Sequence, residues 1–195
     1  MKKICLYGGS FDPVHLGHIN FAKHILQRFK AESLFFIPTY FSPFKGETRY
    51  SSNIHRVNML ELACRDIPKA GVLTLEIERQ GFSYTIDTLK ALHEQFPDHK
   101  LYWIIGDDHL NTLYHWRAYP EHFKYCDFII LPRTGAVSKD MTLNHTFKEQ
   151  LHFIEAPEIN ISSTQIRQAL IDEKDIDSLV PLDIKNYILE NKLYR

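Results

Sequence analysis

The stretch that decides the fold is CLYGGSFDPVHLGHINFAKHI, residues 5–25. An apolar run of strand length reaches two glycines, crosses Ser-Phe-Asp-Pro and enters a helical pattern that begins near His15. Glycine permits tight turns and a close approach of a ligand to the backbone, so Gly8 and Gly9 are expected to end the strand beside a binding site. In α/β proteins, ligands bind outside the carboxyl ends of the strands, where this junction is expected to lie.

The two histidines of this stretch are three residues apart, so His15 and His18 are expected to share one side of the helix start. The first N–H groups of that helix should face the same crevice, and Gly17 should leave the surface between the rings bare. The pattern predicts an anion cradle of backbone and imidazole donors. Two alternatives remain open: His15 as a plain helix cap beside an incidental His18, or a zinc-binding pair, for which no third ligand stands nearby.

Strands and helices alternate along the rest of the chain. Strand-like apolar runs stand at 4–7, 34–38, 72–77, 101–105, 127–131 and 151–156, and helical spacing at 16–29, 54–63 and 86–96. Two further helices are expected, one from ISSTQIRQAL and one with Pro181 near its first turn, whereas 132–150 is expected to form a surface excursion. We therefore predict an α/β fold: a Rossmann-like, doubly wound, mostly parallel sheet with helices on both faces.

Composition narrows the class of protein. The chain has 195 residues and a formal net charge of −1, which gives no global field for nucleic acid or an anionic membrane. Three scattered cysteines without a CxxC pattern favour reduced thiols, and the apolar run before Gly8 is short for a signal peptide. We expect one domain over 1–195, with a helical part at about 161–195, in the cytoplasm; an oligomer is possible.

A second anion site is predicted at ISSTQIR, residues 161–167. Ser162 or Ser163 is expected to cap a helix, with Arg167 one turn further on. A simple capping box explains the serines equally well when this string is taken alone. Beside the first motif, however, a clamp for polyphosphate is favoured.

Together, GGSFDPVHLGH and ISSTQIR resemble the two-part signature of the HxGH nucleotidyltransferase superfamily. The strings GFSYTIDTL, WIIGDDHLNTLYHW and YILENKLYR resemble the bacterial nicotinate-nucleotide adenylyltransferase family along essentially the whole chain. The resemblance implies adenylyl transfer from ATP to nicotinate mononucleotide, giving nicotinate adenine dinucleotide and pyrophosphate in NAD biosynthesis. The phosphate of the acceptor would attack the α-phosphorus of ATP in line, with Mg²⁺ bound mainly through the ATP phosphates and no protein metal ligand assigned.

The resemblance also implies site residues. The expected catalytic residues are His15, His18, Lys45 and Arg167, and the expected substrate-binding residues are Gly8, Gly9, Ser10, Phe11, Thr85, Asp108, Trp116, Ser162 and Ser163. Thr85 and nearby N–H groups can receive the nicotinate carboxylate, and the indole of Trp116 can stack on the cationic pyridine ring. The structural alternatives are a helix cap for Thr85, a core position for Trp116 and a turn for Asp108.

The sequence departs from the family pattern at two positions. Ser10 stands where the family usually has Thr, which keeps the hydroxyl, and Phe44 stands where the family commonly has His, next to a retained Lys45. Arg56 and Arg133 are weaker candidates for phosphate or adenine contacts. The alternative functions are a related transferase with another acceptor, nicotinamide mononucleotide or phosphopantetheine, and a non-catalytic nucleotide sensor.

Overall fold

A six-stranded, wholly parallel sheet runs through the described part of the chain. The computed structural model describes residues 1–44, 50–110, 112–132, 145–155 and 161–195. The strands are β1 (Lys2–Gly9), β2 (Ser33–Pro38), β3 (Ala70–Val72), β4 (His99–Gly106), β5 (Cys126–Leu131) and β6 (Leu151–Phe153). Their order in the sheet is β3-β2-β1-β4-β5-β6. The predicted Rossmann-like parallel sheet is confirmed.

The third strand is where the prediction from sequence is wrong. Strand β3 ends at Val72, and the second half of the predicted strand 72–77 belongs to the short helix α3 (Leu75–Arg79). An apolar run of strand length predicted the strand, but the polar Glu76 is the buried member of the segment. Its carboxylate accepts a 2.6 Å hydrogen bond from the Thr88 hydroxyl, which makes burial of Glu76 tolerable.

The remaining helices include all five that the sequence predicts, and α1, α2 and α4 agree with their predicted ranges within one or two residues. They are α1 (Leu16–Phe29), α2 (Asn53–Arg65), α4 (Thr85–Gln95), α5 (Asp107–Leu110), α6 (Ser163–Ile171) and α7 (Leu182–Glu190), with short 3₁₀ helices at 113–115, 121–124 and 145–150. Helix α5 and the 3₁₀ turns had no counterpart in the prediction, and most of the predicted excursion 132–150 lies outside the described residues.

Alternate side chains of β1 pack into two separate hydrophobic clusters, one on each face of the sheet. Cys5 packs into a cluster with residues of α1, α2, α6 and α7, whereas Ile4 and Leu6 pack into a second cluster with Leu89 and Leu92 of α4. The sheet is therefore covered by helices on both faces, which explains why its strands read as continuous apolar runs. The single-domain organisation stays a prediction. No described helix is both long and apolar enough to cross a membrane.

The strand order reverses between β1 and β4, which pair directly, with Tyr7 opposite Ile104. A crevice opens at such a switch point, outside the carboxyl ends of the two strands. The residues that follow β1 include Ser10 and the histidine pair, and those that follow β4 include Asp108 and Trp116. The topology thus brings two of the sequence-predicted residue sets to one edge of the sheet.

Candidate active site

The two strings of the predicted signature meet at this edge although they lie far apart in the sequence. Nη1 of Arg167 donates to the backbone carbonyl of Asp12 at 2.7 Å. The Ser163 hydroxyl donates to the carbonyl of Pro13 at 2.9 Å. The expected convergence of GGSFDPVHLGH and ISSTQIR is therefore present in the structure, while the binding roles of their residues stay predictions.

The two imidazoles form a stacked pair at the start of α1. Their ring centroids are 3.7 Å apart, and the backbone N–H of His15 donates to Nδ1 of His18 at 3.3 Å. A ring nitrogen that accepts a hydrogen bond carries no proton, so the proton of neutral His18 lies on Nε2. The ring of His15 is only 5% exposed, and that of His18 is half-buried against Phe11. The two histidines are therefore more buried than side chains at an exposed helix end usually are.

The backbone part of the predicted cradle is smaller than expected. The N–H of Leu16, the first of α1, donates to the carbonyl of Leu179 at 2.9 Å. The segment between α6 and α7 crosses the helix start there and occupies this donor. The expectation that the first N–H groups of α1 face a ligand is thus wrong for Leu16.

Aromatic rings stand close to Gly8 and Gly9. A Cβ on Gly8 would stand 2.5 Å from the Trp103 ring, and one on Gly9 would stand 3.0 Å from the ring of Phe11. The two glycines are the last residues of β1, which confirms that they end the strand, and the left-handed backbone that follows is at Phe11, with φ +48°. The Phe11 side chain lies in the core against Tyr7 and Phe36.

The serines of the second string hold α6 in place. Ser162 is the N-cap: its hydroxyl oxygen accepts from the N–H of Gln165, and the Gln165 side chain accepts from the N–H of Ser162. This reciprocal capping box settles which serine is the cap and stabilises the helix that carries Arg167. The guanidinium carbon of Arg167 lies 3.8 Å from the centre of the Tyr50 ring, and Nη2 donates to Thr164 Oγ1 at 3.1 Å.

Arg56 is a structural residue at the base of the site. It is 1% exposed, and its guanidinium donates at 2.6 Å to the carbonyls of Ser10 and Thr39 and to Oδ1 of Asn53. These contacts join the loops after β1 and β2 to α2. The sequence-based candidacy of Arg56 as a phosphate contact is therefore wrong. Lys45 and Arg133 lie outside the described residues.

The predicted base pocket gathers three segments. Two residues after β2 bond to the segment 81–83: the N–H of Phe41 donates to Gly81 O at 3.2 Å, and the N–H of Tyr40 donates to the Ser83 hydroxyl at 2.9 Å. Thr85 follows as the first residue of α4, whose cap position is taken by Tyr84. Arg117 next to Trp116 reaches both Tyr84, at 4.5 Å from the ring centre, and Asp87, at 3.6 Å. Thr85 and Trp116 are thus brought to one region.

Trp116 is partly buried against the second core cluster. The centre of its ring lies 6.3 Å from that of Phe128 in β5, 6.0 Å from that of Phe44 and 6.3 Å from that of His109. Phe44, which replaces the histidine usual in the family, is 57% exposed and so lies at the mouth of this aromatic cluster. Asp108 is in α5 beside it, with its exposed carboxylate 3.9 Å from Nε2 of His109.

The buried His122 imidazole packs beside Trp116 and should make the free energy of unfolding depend on pH. The two rings are 5.8 Å apart, and burial lowers the pKa of His122 from 6.5 to about 4. The unfolded chain takes up this proton near pH 6.5 and the folded chain does not, so stability should fall as pH drops from about 6.5 towards 4. Between pH 7 and 5 we expect a loss of about 1–2 kcal/mol from this group.

The measurement is urea unfolding of the wild type and His122→Phe at both pH values. The phenylalanine variant should lose less stability on acidification, by about the amount assigned to His122. The same exchange at exposed His93 is the control and should leave the pH dependence unchanged. Equal acid sensitivity in the wild type and His122→Phe would contradict the role of His122.

Sequence reasoning missed two residues that organise the site, Asp12 and Tyr194. The Asp12 carboxylate is 5% exposed and accepts from the hydroxyls of Ser51 and Tyr194, each at 2.6 Å. Asp12 belongs to the first motif and Tyr194 to the string YILENKLYR, but no sequence pattern links two positions so far apart. Within the described ranges, no group of three or more His, Cys, Asp or Glu residues could hold a metal ion.

Comparison with known proteins agrees with this geometry. Residues 6–169 match the family described as cytidylyltransferase-like. The nicotinate-nucleotide adenylyltransferase of Bacillus subtilis strain 168 is 36% identical over 194 residues, covering 100% of this chain and 99% of the relative. A probable nicotinate-nucleotide adenylyltransferase of Staphylococcus saprophyticus is 37% identical over 193 residues, covering 99% and 98%.

Solved structures share the fold. The nicotinic acid mononucleotide adenylyltransferase of Plasmodium falciparum, complexed with NaAD, superposes with a TM-score of 0.78 at 23% identity, over 100% of this chain and 98% of that one. The parallel sheet, the convergence of the two signature strings and the full-length similarity lead to one conclusion. The chain belongs to the cytidylyltransferase-like family and, within it, to the nicotinate-nucleotide adenylyltransferases.

Proposed function

We propose that this protein transfers the adenylyl group of ATP to nicotinate mononucleotide, releasing pyrophosphate and forming nicotinate adenine dinucleotide in NAD biosynthesis. The observation that carries the proposal is the meeting of the two signature strings, in which Arg167 bonds to Asp12 beside the stacked histidines. Relatives that match over the full chain carry the corresponding enzyme name. The relative complexed with NaAD supports the same product.

The chemistry needs positioned donors and no protein nucleophile. A phosphate oxygen of the acceptor attacks the α-phosphorus, a new P–O bond forms, and the bond to the departing pyrophosphate breaks. Negative charge builds on the oxygens of the reacting phosphoryl group, and His15 and His18 would stabilise it as fixed hydrogen-bond donors. Arg167 would bind the triphosphate, and Lys45 stays a proposed phosphate contact from the sequence.

We further propose that Mg²⁺ takes part as an ion held mainly by ATP phosphates and water. Apart from Asp12, the described side chains of the two signature strings that the proposal assigns to the phosphates offer imidazole, guanidinium and hydroxyl groups, which suit phosphate oxygens. The Asp12 carboxylate is already bonded to hydroxyl and backbone donors of Ser51 and to Tyr194. This donor set fits a metal that arrives with the nucleotide and screens the charge of pyrophosphate.

The nicotinate ring is proposed to bind between α4 and Trp116. The start of α4 can receive the carboxylate through the Thr85 hydroxyl and N–H groups, because an eleven-residue helix carries partial positive charge at that end. Trp116 offers a ring face to the cationic pyridine. Asp108 stays a proposed nucleotide contact. A cytoplasmic site of action is part of the proposal and agrees with the three cysteines, which are all free thiols.

An acceptor panel tests the proposal. Pyrophosphate release from ATP and Mg²⁺ is measured with nicotinate mononucleotide, nicotinamide mononucleotide or phosphopantetheine, and without acceptor. We expect kcat/KM to be at least about a hundredfold higher for nicotinate than for nicotinamide mononucleotide, since only nicotinate supplies the charged carboxylate. Equal turnover with nicotinamide mononucleotide would contradict the carboxylate pocket, and no release with any acceptor would favour the sensor.

A further inference from the structure

The last nine residues, YILENKLYR (187–195), have no role in the proposed reaction, yet Tyr194 bonds directly to the first motif. Its hydroxyl donates to Oδ1 of Asp12 at 2.6 Å and lies 3.1 Å from Oγ of Ser51. All three side chains are buried. The end of the sequence is therefore tied to the loop that leads into the histidine pair.

Asp12 is the centre of this cluster. Its carboxylate accepts four hydrogen bonds, from the N–H groups of Tyr50 at 2.9 Å and Ser51 at 3.3 Å, and from the hydroxyls of Ser51 and Tyr194. A buried carboxylate is tolerated only when hydrogen bonds replace its hydration. Removing one of the four donors should therefore disturb the position of the carboxylate and of the groups bonded to it.

Two of the contacts that orient Arg167 depend on Asp12. The guanidinium donates to the backbone carbonyl of Asp12 at 2.7 Å, and it stacks 3.8 Å from the ring centre of Tyr50. The N–H of Tyr50 is in turn bonded to the Asp12 carboxylate. Tyr194 donates to the carboxylate of Asp12, and Asp12 is bonded both to Arg167 and to the backbone of Tyr50, on whose ring Arg167 stacks. The position of the guanidinium therefore depends on Asp12 through two contacts.

We propose that Tyr194 is a positioning residue that, through Asp12 and Tyr50, fixes the Arg167 guanidinium in the orientation that receives the triphosphate of ATP. The inference rests on the proposed function, and Tyr194 itself contacts no substrate. Burial, followed by the neighbouring carboxylate of Asp12, raises the pKa of Tyr194. The phenol therefore remains a hydrogen-bond donor throughout the range of ordinary assays.

A double-mutant cycle tests this role with wild type, Tyr194→Phe, Arg167→Ala and the double variant. Tyr194→Phe keeps the ring and should lower kcat/KM for ATP about tenfold, chiefly by raising KM. Arg167→Ala should lower it further by the same route. In the Arg167→Ala background, Tyr194→Phe should have no added effect, because its action passes through the guanidinium. Additive losses would overturn the proposal.

A matched control is available in the same terminal string. Tyr187→Phe removes a hydroxyl that lies 2.9 Å from Nδ1 of His55 and accepts from Asn58 at 2.8 Å, both on α2. In urea unfolding it should cost about as much stability as Tyr194→Phe, while kcat/KM for ATP stays within about twofold of wild type. An equal kinetic loss in both tyrosine variants would make the effect a general structural one and overturn the proposal.

The dissociation constant of Mg²⁺–ATP, measured by calorimetry on the same four proteins, gives the cycle a readout that needs no acceptor. If the double variant binds Mg²⁺–ATP no more weakly than Arg167→Ala, the positioning role is supported even if the acceptor of the proposed reaction is wrong. Uncoupled losses, together with normal pyrophosphate release by the wild type, would reject the role of Tyr194 and leave the proposed function intact.

Discussion

Replacement of His18 by alanine is expected to lower kcat by about a hundredfold or more while the chain stays folded. The His18 ring is held by its stack on His15 and by the hydrogen bond that its Nδ1 accepts, so its Nε2–H is oriented before the substrate binds. Such a fixed donor stabilises developing charge without having to reorganise, and alanine removes it entirely. Steady-state kinetics with ATP and nicotinate mononucleotide measure the effect.

His24→Ala is the control for this experiment. His24 is on the same helix, and its Nε2 bonds to the carbonyl of Glu155 at 2.8 Å, away from the signature strings. We expect this variant to keep a near-normal kcat, with thermal unfolding of both variants showing that α1 remains intact. A near-normal rate for His18→Ala would contradict the role given to the imidazole.

Replacement of Arg56 by alanine should lower the free energy of unfolding by about 3–5 kcal/mol. The guanidinium is buried and binds the Ser10 and Thr39 carbonyls and the Asn53 side chain, so its removal leaves three acceptors without donors and a cavity. Each charge-assisted bond of this kind is worth about 1.5–3 kcal/mol, and such contributions are not additive. Urea unfolding with linear extrapolation gives the measurement.

Arg65→Ala, an exposed arginine in the last turn of the same helix, is the matched control and should change stability by less than about 0.5 kcal/mol. If Arg56→Ala fails to fold, Arg56→Lys serves in its place, because one ammonium cannot reproduce the planar fork that bonds three acceptors. Normal stability of Arg56→Ala combined with a raised KM for ATP would instead restore the phosphate contact expected from the sequence.

The parts of the fold that could be predicted from the sequence depend on local patterns. The boundaries of α1 follow from the spacing of its apolar residues, and the place of the site follows from the rule that crevices open at the carboxyl edge of a parallel sheet. The capping box of Ser162 and Gln165 is equally local, since both partners stand within one turn. The convergence of the two strings required only that both lie at strand-to-helix junctions.

The errors share a different cause, which is a long-range polar partner. Glu76 can be buried in α3 because the hydroxyl of Thr88, twelve residues away, donates a hydrogen bond to its carboxylate. Arg56 can be buried because two of its acceptors are backbone carbonyls. Every residue has a backbone carbonyl, so the sequence does not show which ones an arginine will reach. The occupied N–H of Leu16 is of the same kind, because its acceptor is the carbonyl of Leu179.

The bond between Tyr194 and Asp12 spans 182 residues, and translation makes its two ends at very different times. Asp12 emerges from the ribosome with β1 and α1, whereas the tyrosine that donates to it is synthesised 182 residues later, after all six strands. Contacts between such distant residues form late, because a long loop must close first. During translation the sheet can therefore form before the carboxylate of Asp12 gains its bond from Tyr194.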